Sequence, residues 1–321
     1  MNKRQLLLLL AAAFAAGTVS AQDFPPKRPV TLVVGFAAGG AADAAARLIA
    51  KKLADNIGQS VTVDNKAGAG GNIAHQFVAN GPTDGSTILL GSIGPLTIAP
   101  HMMKVGYDPF KDLAPLSGGV HFPNVLVVNA NSGIKTLQDF IAAAKKSPGA
   151  VTFASTGPGS ASHLTGELFA QRVGAEMVHV PYRGGAAAMP DLLAGRFTAY
   201  FAAPPTALPF IKDGKLTPLA TTGLARPAYL PNVPTVAEQG FPGFEALNWY
   251  AFVASAKTPA PILDRWNQEI VKVLNDAEVK DQLAKHGLTA HPTTRAELTA
   301  FMKKESDQWG KIVRDRKITS E

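Results

Sequence analysis

Three glycine-rich segments, each set between an apolar strand-like run and a helix-like one, constrain this chain most: FAAGGAAD at residues 36–43, NKAGAGGN at 65–72 and ASTGPGSASH at 154–163. Glycine lets a backbone turn sharply out of a strand into a helix. The first amides of that helix have no intrahelical acceptor and carry the positive end of its dipole. Three such junctions directed at one place form an anion site made of backbone.

The flanking pattern is that of an α/β protein. Residues 30–34 read as a buried strand and 42–57 as an amphipathic helix with Ala46, Ile49, Ala50 and Leu53 on its apolar face. Residues 61–63 and 87–90 read as further strands. The unit recurs with strands at 125–128, 151–154, 177–180, 198–201 and 216–221, and helices at 135–146, 160–173 and 186–193. A proline- and glycine-rich crossing follows residue 225, then a strand at 249–254, and after it only helices, one opened by Pro259 and the last headed by Thr293 with Glu297. A mostly parallel α/β arrangement in two lobes is expected, because about 300 residues exceed a comfortable single core. The C-terminal helices have too little sheet of their own and should return to the first lobe. This places lobe 1 at 22–125 plus 251–321 and lobe 2 at 126–250, with crossings near 124–126 and 248–252.

At the N-terminus, Lys3 and Arg4 precede an apolar stretch at 6–16, and Val19, Ser20 and Ala21 supply the small residues of a cleavage site. The run is shorter than the ~20 residues that span a bilayer, which argues against a membrane anchor. A signal peptide cleaved after Ala21 is expected, leaving an exported, freely soluble protein that starts at Gln22. Its removal lowers the formal charge of +7 by two, a mild bias toward acidic ligands.

Enzyme classes find little support. The seven histidines are scattered without HExxH, cysteine is absent, and GxSxG does not occur. GAGGNI has Ile73 where a dinucleotide loop requires its last glycine, and GPGSAS ends in Ser162. No aromatic residues interleave a basic run, so nucleic acid is not an expected partner. No cofactor or metal is expected.

In combination, GFAAGGAADAAARLIAKKL, VDNKAGAGGNIA, DGSTILLGS, YDPFKDLAPLS, ASTGPGSASHLTGELF, HVPYRGGAAAMPDLLAGR, IKDGKL and LPNVPTVAEQG resemble the solute-binding receptors of tripartite tricarboxylate transporters, the Bug family. The resemblance covers the whole chain after the leader. It implies a periplasmic location and a type II periplasmic-binding-protein fold: two α/β lobes joined by two crossing strands, closing as a monomer on a small organic carboxylate that is passed to membrane permease subunits. An exported two-lobed enzyme acting on a small carboxylate or ester, or a sensor subunit using the same cleft, is the alternative. The resemblance puts Phe36, Ala38, Gly39, Ala41, Ala42, Gly70 and Asn72 around one carboxylate, held partly through ordered water. Ser92, and from the facing lobe Ser155, Thr156, Gly157 and Ser160, complete the expected site.

No Arg or Lys stands at the centre of the glycine segments, so backbone amides would carry the anion, each hydrogen bond to a charged group contributing about 1.5–3 kcal/mol. Asp43 either stabilises its helix N-terminus or bridges the lobes. His163 either contacts ligand or packs at a helix start. Tyr182 and Arg183 either reach the cleft or stay in solvent. Relatives often carry prolines at Ala37 and Ala38, a hydroxyl at Ala42 and an aspartate at Ala202. Lack of that aspartate removes a counter-charge for an ammonium and favours a plain organic acid over an α-amino acid. Phe36, Phe122 and Phe201 either line a slot for a flat ring, such as benzoate, phthalate or terephthalate, or belong to the core.

Overall fold

A computed structural model describes residues 24–316 and 318–319. The leader expected at residues 1–21, with cleavage before Gln22, lies outside the described residues.

The first strand, β1 (Val30–Val34), is buried, and the chain leaves it through Gly35 to Gly40 into α1 (Ala41–Ile57). This helix forms because alanines alternate with Ile49, Leu53 and Ile57 on one buried face. It stops at Gly58, whose left-handed φ of 65° lets its N–H return to the Ala54 carbonyl. β2 (Val61–Asn65), a short glycine turn, α2 (Asn72–Ala79) and β3 (Thr87–Ser92) follow. A turn of π-helix over Gly94–Ile98 leads into α3 (Ala99–Met102). β4 (Leu113–Pro123) then runs directly into β5 (Val125–Asn129) through Asn124.

The second lobe is built from α4 (Leu137–Lys146), β6 (Thr152–Ser155), α5 (Ala161–Val173), β7 (Val178–Pro181), α6 (Gly185–Leu193), β8 (Ala199–Ala202), α7 (Pro204–Lys212) and β9 (Leu216–Thr221). The chain returns to the first lobe with β10 (Leu247–Ser255) and ends in α8 (Ala260–Asn275), α9 (Ala277–Lys285), the two-residue β11 (Thr289–Ala290) and α10 (Arg295–Arg316).

Two sheets result, of order β11-β4-β10-β3-β1-β2 and β7-β6-β8-β5-β9. They are mixed, not mostly parallel as the strand–helix alternation suggests. β1 pairs in parallel with β2 and β3, and β6 with β7 and β8, but β4, β10 and β5 enter antiparallel. The reason is the crossing itself: β5 and β10 enter their lobes from the crossings and run away from the cleft, against strands such as β1, β3, β6 and β8, whose C-terminal ends point at it. Helices cover both faces of each sheet, which explains why the strands read as continuous apolar runs.

Three expectations change in detail. β4 was not legible as a strand, because Ser117, Gly118 and Gly119 interrupt its pattern where the pairing with β10 shifts register. The last helix is headed by Thr294, whose hydroxyl and Glu297 form a capping box, while the Thr293 hydroxyl accepts the Gly118 N–H. The second crossing precedes Leu247, since Leu247 and Asn248 already pair with Pro123 and Phe122.

Both crossings are tied together by Thr222. Its hydroxyl accepts the Asn124 N–H at 2.9 Å and donates to the Ala246 carbonyl at 2.7 Å. Its backbone N–H donates to the Asn124 carbonyl and its carbonyl accepts the Ala246 N–H, so one residue holds the two connecting strands in register.

Candidate functional site

Between the lobes, at these crossings, lies a small cavity of about 30 Å³. Lobe 1 lines it with Phe36, Gly40, Ala41, Ala42, Ser92 and Tyr250, and the crossings add Asn124 and Asn248. Lobe 2 supplies Thr156, Ala161, Ser162, Gly185, Tyr200, Phe201, Ala203 and Thr206. No charged side chain is among them. The helices α1, α5, α6 and α7 all begin at this cavity. Gly40 and Gly184, the caps of α1 and α6, provide no side-chain acceptor, so the first amides of those helices remain available to an anion. α7 starts with Pro204 and Pro205 and therefore contributes its dipole rather than its leading N–H groups.

Hydroxyls complete the lining. Burial pushes the Tyr200 and Tyr250 phenols upward from their ordinary values, which keeps both protonated as hydrogen-bond donors. The Ser92 hydroxyl is buried with no hydrogen-bond partner. Its backbone is fixed from behind: the Ser92 N–H donates to Nε2 of His75, whose Nδ1 lies 2.9 Å from the Gly71 carbonyl. An imidazole that accepts at Nε2 carries its proton on Nδ1 and is neutral. Burial holds it so, lowering its pKa to about 4.

The structure brings Phe36, Ala41, Ala42, Ser92 and Thr156 of the expected residues to the cavity. The others stand elsewhere. Ala38 and Gly39 are exposed on the loop before α1. Asp43 accepts the Gly39 N–H at 3.0 Å and the Arg47 Nε–H at 2.9 Å, so it serves its own helix start rather than the opposite lobe. Burial alone would raise its pKa, but these hydrogen bonds outweigh it and hold the carboxyl below its usual range.

Gly70 and Gly157 meet each other across the lobes instead of facing the cavity. Asn72 donates to the Ala69 carbonyl, and its Oδ1 accepts the Tyr107 hydroxyl at 2.8 Å. The second glycine segment thus supports the site at one remove, through Asn72, Tyr107, His75 and Ser92. Ser155 hydrogen-bonds His179 at 2.5 Å, and Ser160 caps α5 through the His163 N–H. His163 stacks on His179 with ring centres 3.9 Å apart, and its Nδ1 accepts the Gly159 N–H. Tyr182 donates to Asp191, and Ala202 is fully buried in the core of the second lobe. Arg183 is exposed, although its carbonyl accepts the Ala37 N–H across the cleft at 3.1 Å. Of the three phenylalanines, Phe36 and Phe201 line the cavity and Phe122 is core.

Sequence reasoning missed Asn124, Ser162, Gly185, Tyr200, Ala203, Thr206, Asn248 and Tyr250. A signal existed for two of the regions. The proline pair after an apolar strand, in AYFAAPP, marks a helix start at the cleft, and YRGGAAA marks another.

Fold and site together define a two-lobed binding protein with its ligand cavity between the lobes. The model of the tripartite tricarboxylate transporter family receptor matches residues 45–318, and the chain belongs to that family. Protein BugT of Bordetella pertussis is 37% identical over 321 residues, with 98% of each chain covered. The periplasmic binding protein BugD superposes with a TM-score of 0.87 at 31% identity over 92% of this chain and 99% of the other. Rpa4515 of R. palustris, solved with adipate, gives a TM-score of 0.89 at 33% identity over the same shares. These are binding proteins, and the chain is a solute-binding receptor rather than an enzyme.

Proposed function

We propose that this receptor works in the periplasm, captures a small organic carboxylate between its lobes and delivers it to the membrane subunits of a tripartite tricarboxylate-type transporter. The observation that carries the reading is the convergence of four helix N-termini on a cavity without a charged side chain. Such a cavity favours a ligand that brings its own negative charge, and it offers a cation no counter-charge. The adipate held by Rpa4515 is a carboxylate of this kind. Phe36 and Phe201 on the walls extend the candidates from aliphatic di- and tricarboxylates to aromatic carboxylates such as phthalate or terephthalate.

A thermal-shift screen of the purified protein against aliphatic dicarboxylates, citrate, aromatic carboxylates and amino acids tests this. A ligand present at 100 times its dissociation constant stabilises by about 2.7 kcal/mol. Stabilisation by carboxylates and not by cationic solutes is the expected result. A screen in which no carboxylate raises the melting temperature refutes the reading.

A further inference from the structure

We infer that the ligand carries a hydroxyl beside its carboxylate, and that the amide oxygen of Asn124 reads it. The inference rests on the carboxylate reading of the cleft and adds the chemical class of the ligand. Asn124 lines the cavity, is 1% exposed, and its Oδ1 has no hydrogen-bond partner. The orientation of this amide is fixed by its surroundings. The Thr165 hydroxyl spends its proton on the Ala161 carbonyl at 2.8 Å, so toward Asn124 it acts only as an acceptor. The atom of Asn124 that meets it at 3.3 Å must therefore be the Nδ2 donor, which leaves Oδ1 as the free acceptor.

A second buried amide lies on the other connecting strand. Asn248 also lines the cavity, is buried, and has its Oδ1 unpartnered. Both crossings thus bring an amide to the floor of the cleft. A carboxylate satisfies the helix amides but accepts only, and leaves the Asn124 oxygen unpaired when water is expelled on closure. Buried acceptors of this kind select for a donor. An ammonium is the wrong donor, because the lining holds no acid and four helix dipoles present their positive ends. A neutral hydroxyl satisfies the acceptor without charge.

The test uses pairs that differ by one hydroxyl: succinate with malate, malate with tartrate, and phenylacetate with mandelate, titrated calorimetrically into the purified protein. In the pair whose carbon skeleton fits, the hydroxylated member binds about tenfold tighter or more. Asn124→Leu, which replaces the acceptor by an apolar group of similar size, brings the members of that pair to within about threefold. Equal binding within every pair overturns the inference while leaving the carboxylate reading in place. So does a folded Asn124→Leu protein that keeps the full preference. Binding of no carboxylate in the panel removes the underlying reading and this one with it.

Discussion

Gly70→Ala isolates what lobe contact contributes to ligand capture. Gly70 adopts a φ of 64°, and a Cβ built on it falls 2.2 Å from the carbonyl oxygen of Pro158 in the opposite lobe. Ordinary contact at such a position begins near 3.4 Å, so the lobes must part there by roughly 1 Å. The same movement stretches the Ala37 to Arg183 hydrogen bond that spans the cleft. Two costs follow, and they separate. Placing alanine in the left-handed region costs about 1 kcal/mol in any folded form, open or closed, and does not change affinity. The clash exists only when the lobes meet. Overpacking of this kind costs about 1–3 kcal/mol, which lowers affinity about 5- to 150-fold.

Gly58→Ala is the control. Gly58 has nearly the same φ, 65°, yet nothing lies within 4 Å of its added Cβ. Calorimetry with the best carboxylate from the screen, alongside ligand-free melting curves, should show both variants losing similar stability and Gly70→Ala alone losing affinity. Binding by Gly70→Ala within twofold of the parent protein refutes the reasoning, because the contact then plays no part in the bound state.

Thr222→Val removes the hydroxyl that serves both crossings and leaves the Asn124 N–H and the Ala246 carbonyl unpaired in a buried place, a loss of about 2–4 kcal/mol in urea unfolding; a loss below about 0.5 kcal/mol contradicts the role given to it. Acid sensitivity should come first from the buried histidines. Burial, with a further contribution from His179, lowers the His163 pKa to about 3, and burial lowers that of His179 to about 4, against an ordinary 6.5 in the unfolded chain. Above pH 6.5 neither state binds these protons. Below it the unfolded state binds more, so stability falls as pH drops toward 4, and His163→Phe should reduce the loss between pH 6 and pH 5 by ~1 kcal/mol; an unchanged slope in equilibrium unfolding rejects the assignment. Ala202→Asp introduces a carboxyl into the fully buried core of the second lobe and should cost ~3 kcal/mol or more by calorimetric melting, whatever ligand is present. A variant as stable as the parent protein shows instead that this position opens onto the cavity.

Local chemistry was enough to mark β1, α1, β9 and the start of α5, because each is a run whose apolar period, glycine stop or serine cap acts on its own neighbours in the chain. It was also enough to place two of the three glycine segments at strand-to-helix turns that border the cavity, since glycine between a strand and a helix has the same geometric consequence in any fold. β4 escaped notice because a bulged strand with two glycines owes its form to its partner β10, which lies more than a hundred residues away in sequence. The division of labour among the glycine segments was decided in the same way. The first and third border the cavity, whereas the second is pressed against Pro158, and only the mutual position of the two lobes separates a loop that lines the cavity from one that meets the opposite lobe beside it. Asn124 and Asn248 are the plainest case. Each is an ordinary polar residue in its local sequence, and their shared place at the floor of the cleft exists because two strands cross there side by side, tied by Thr222.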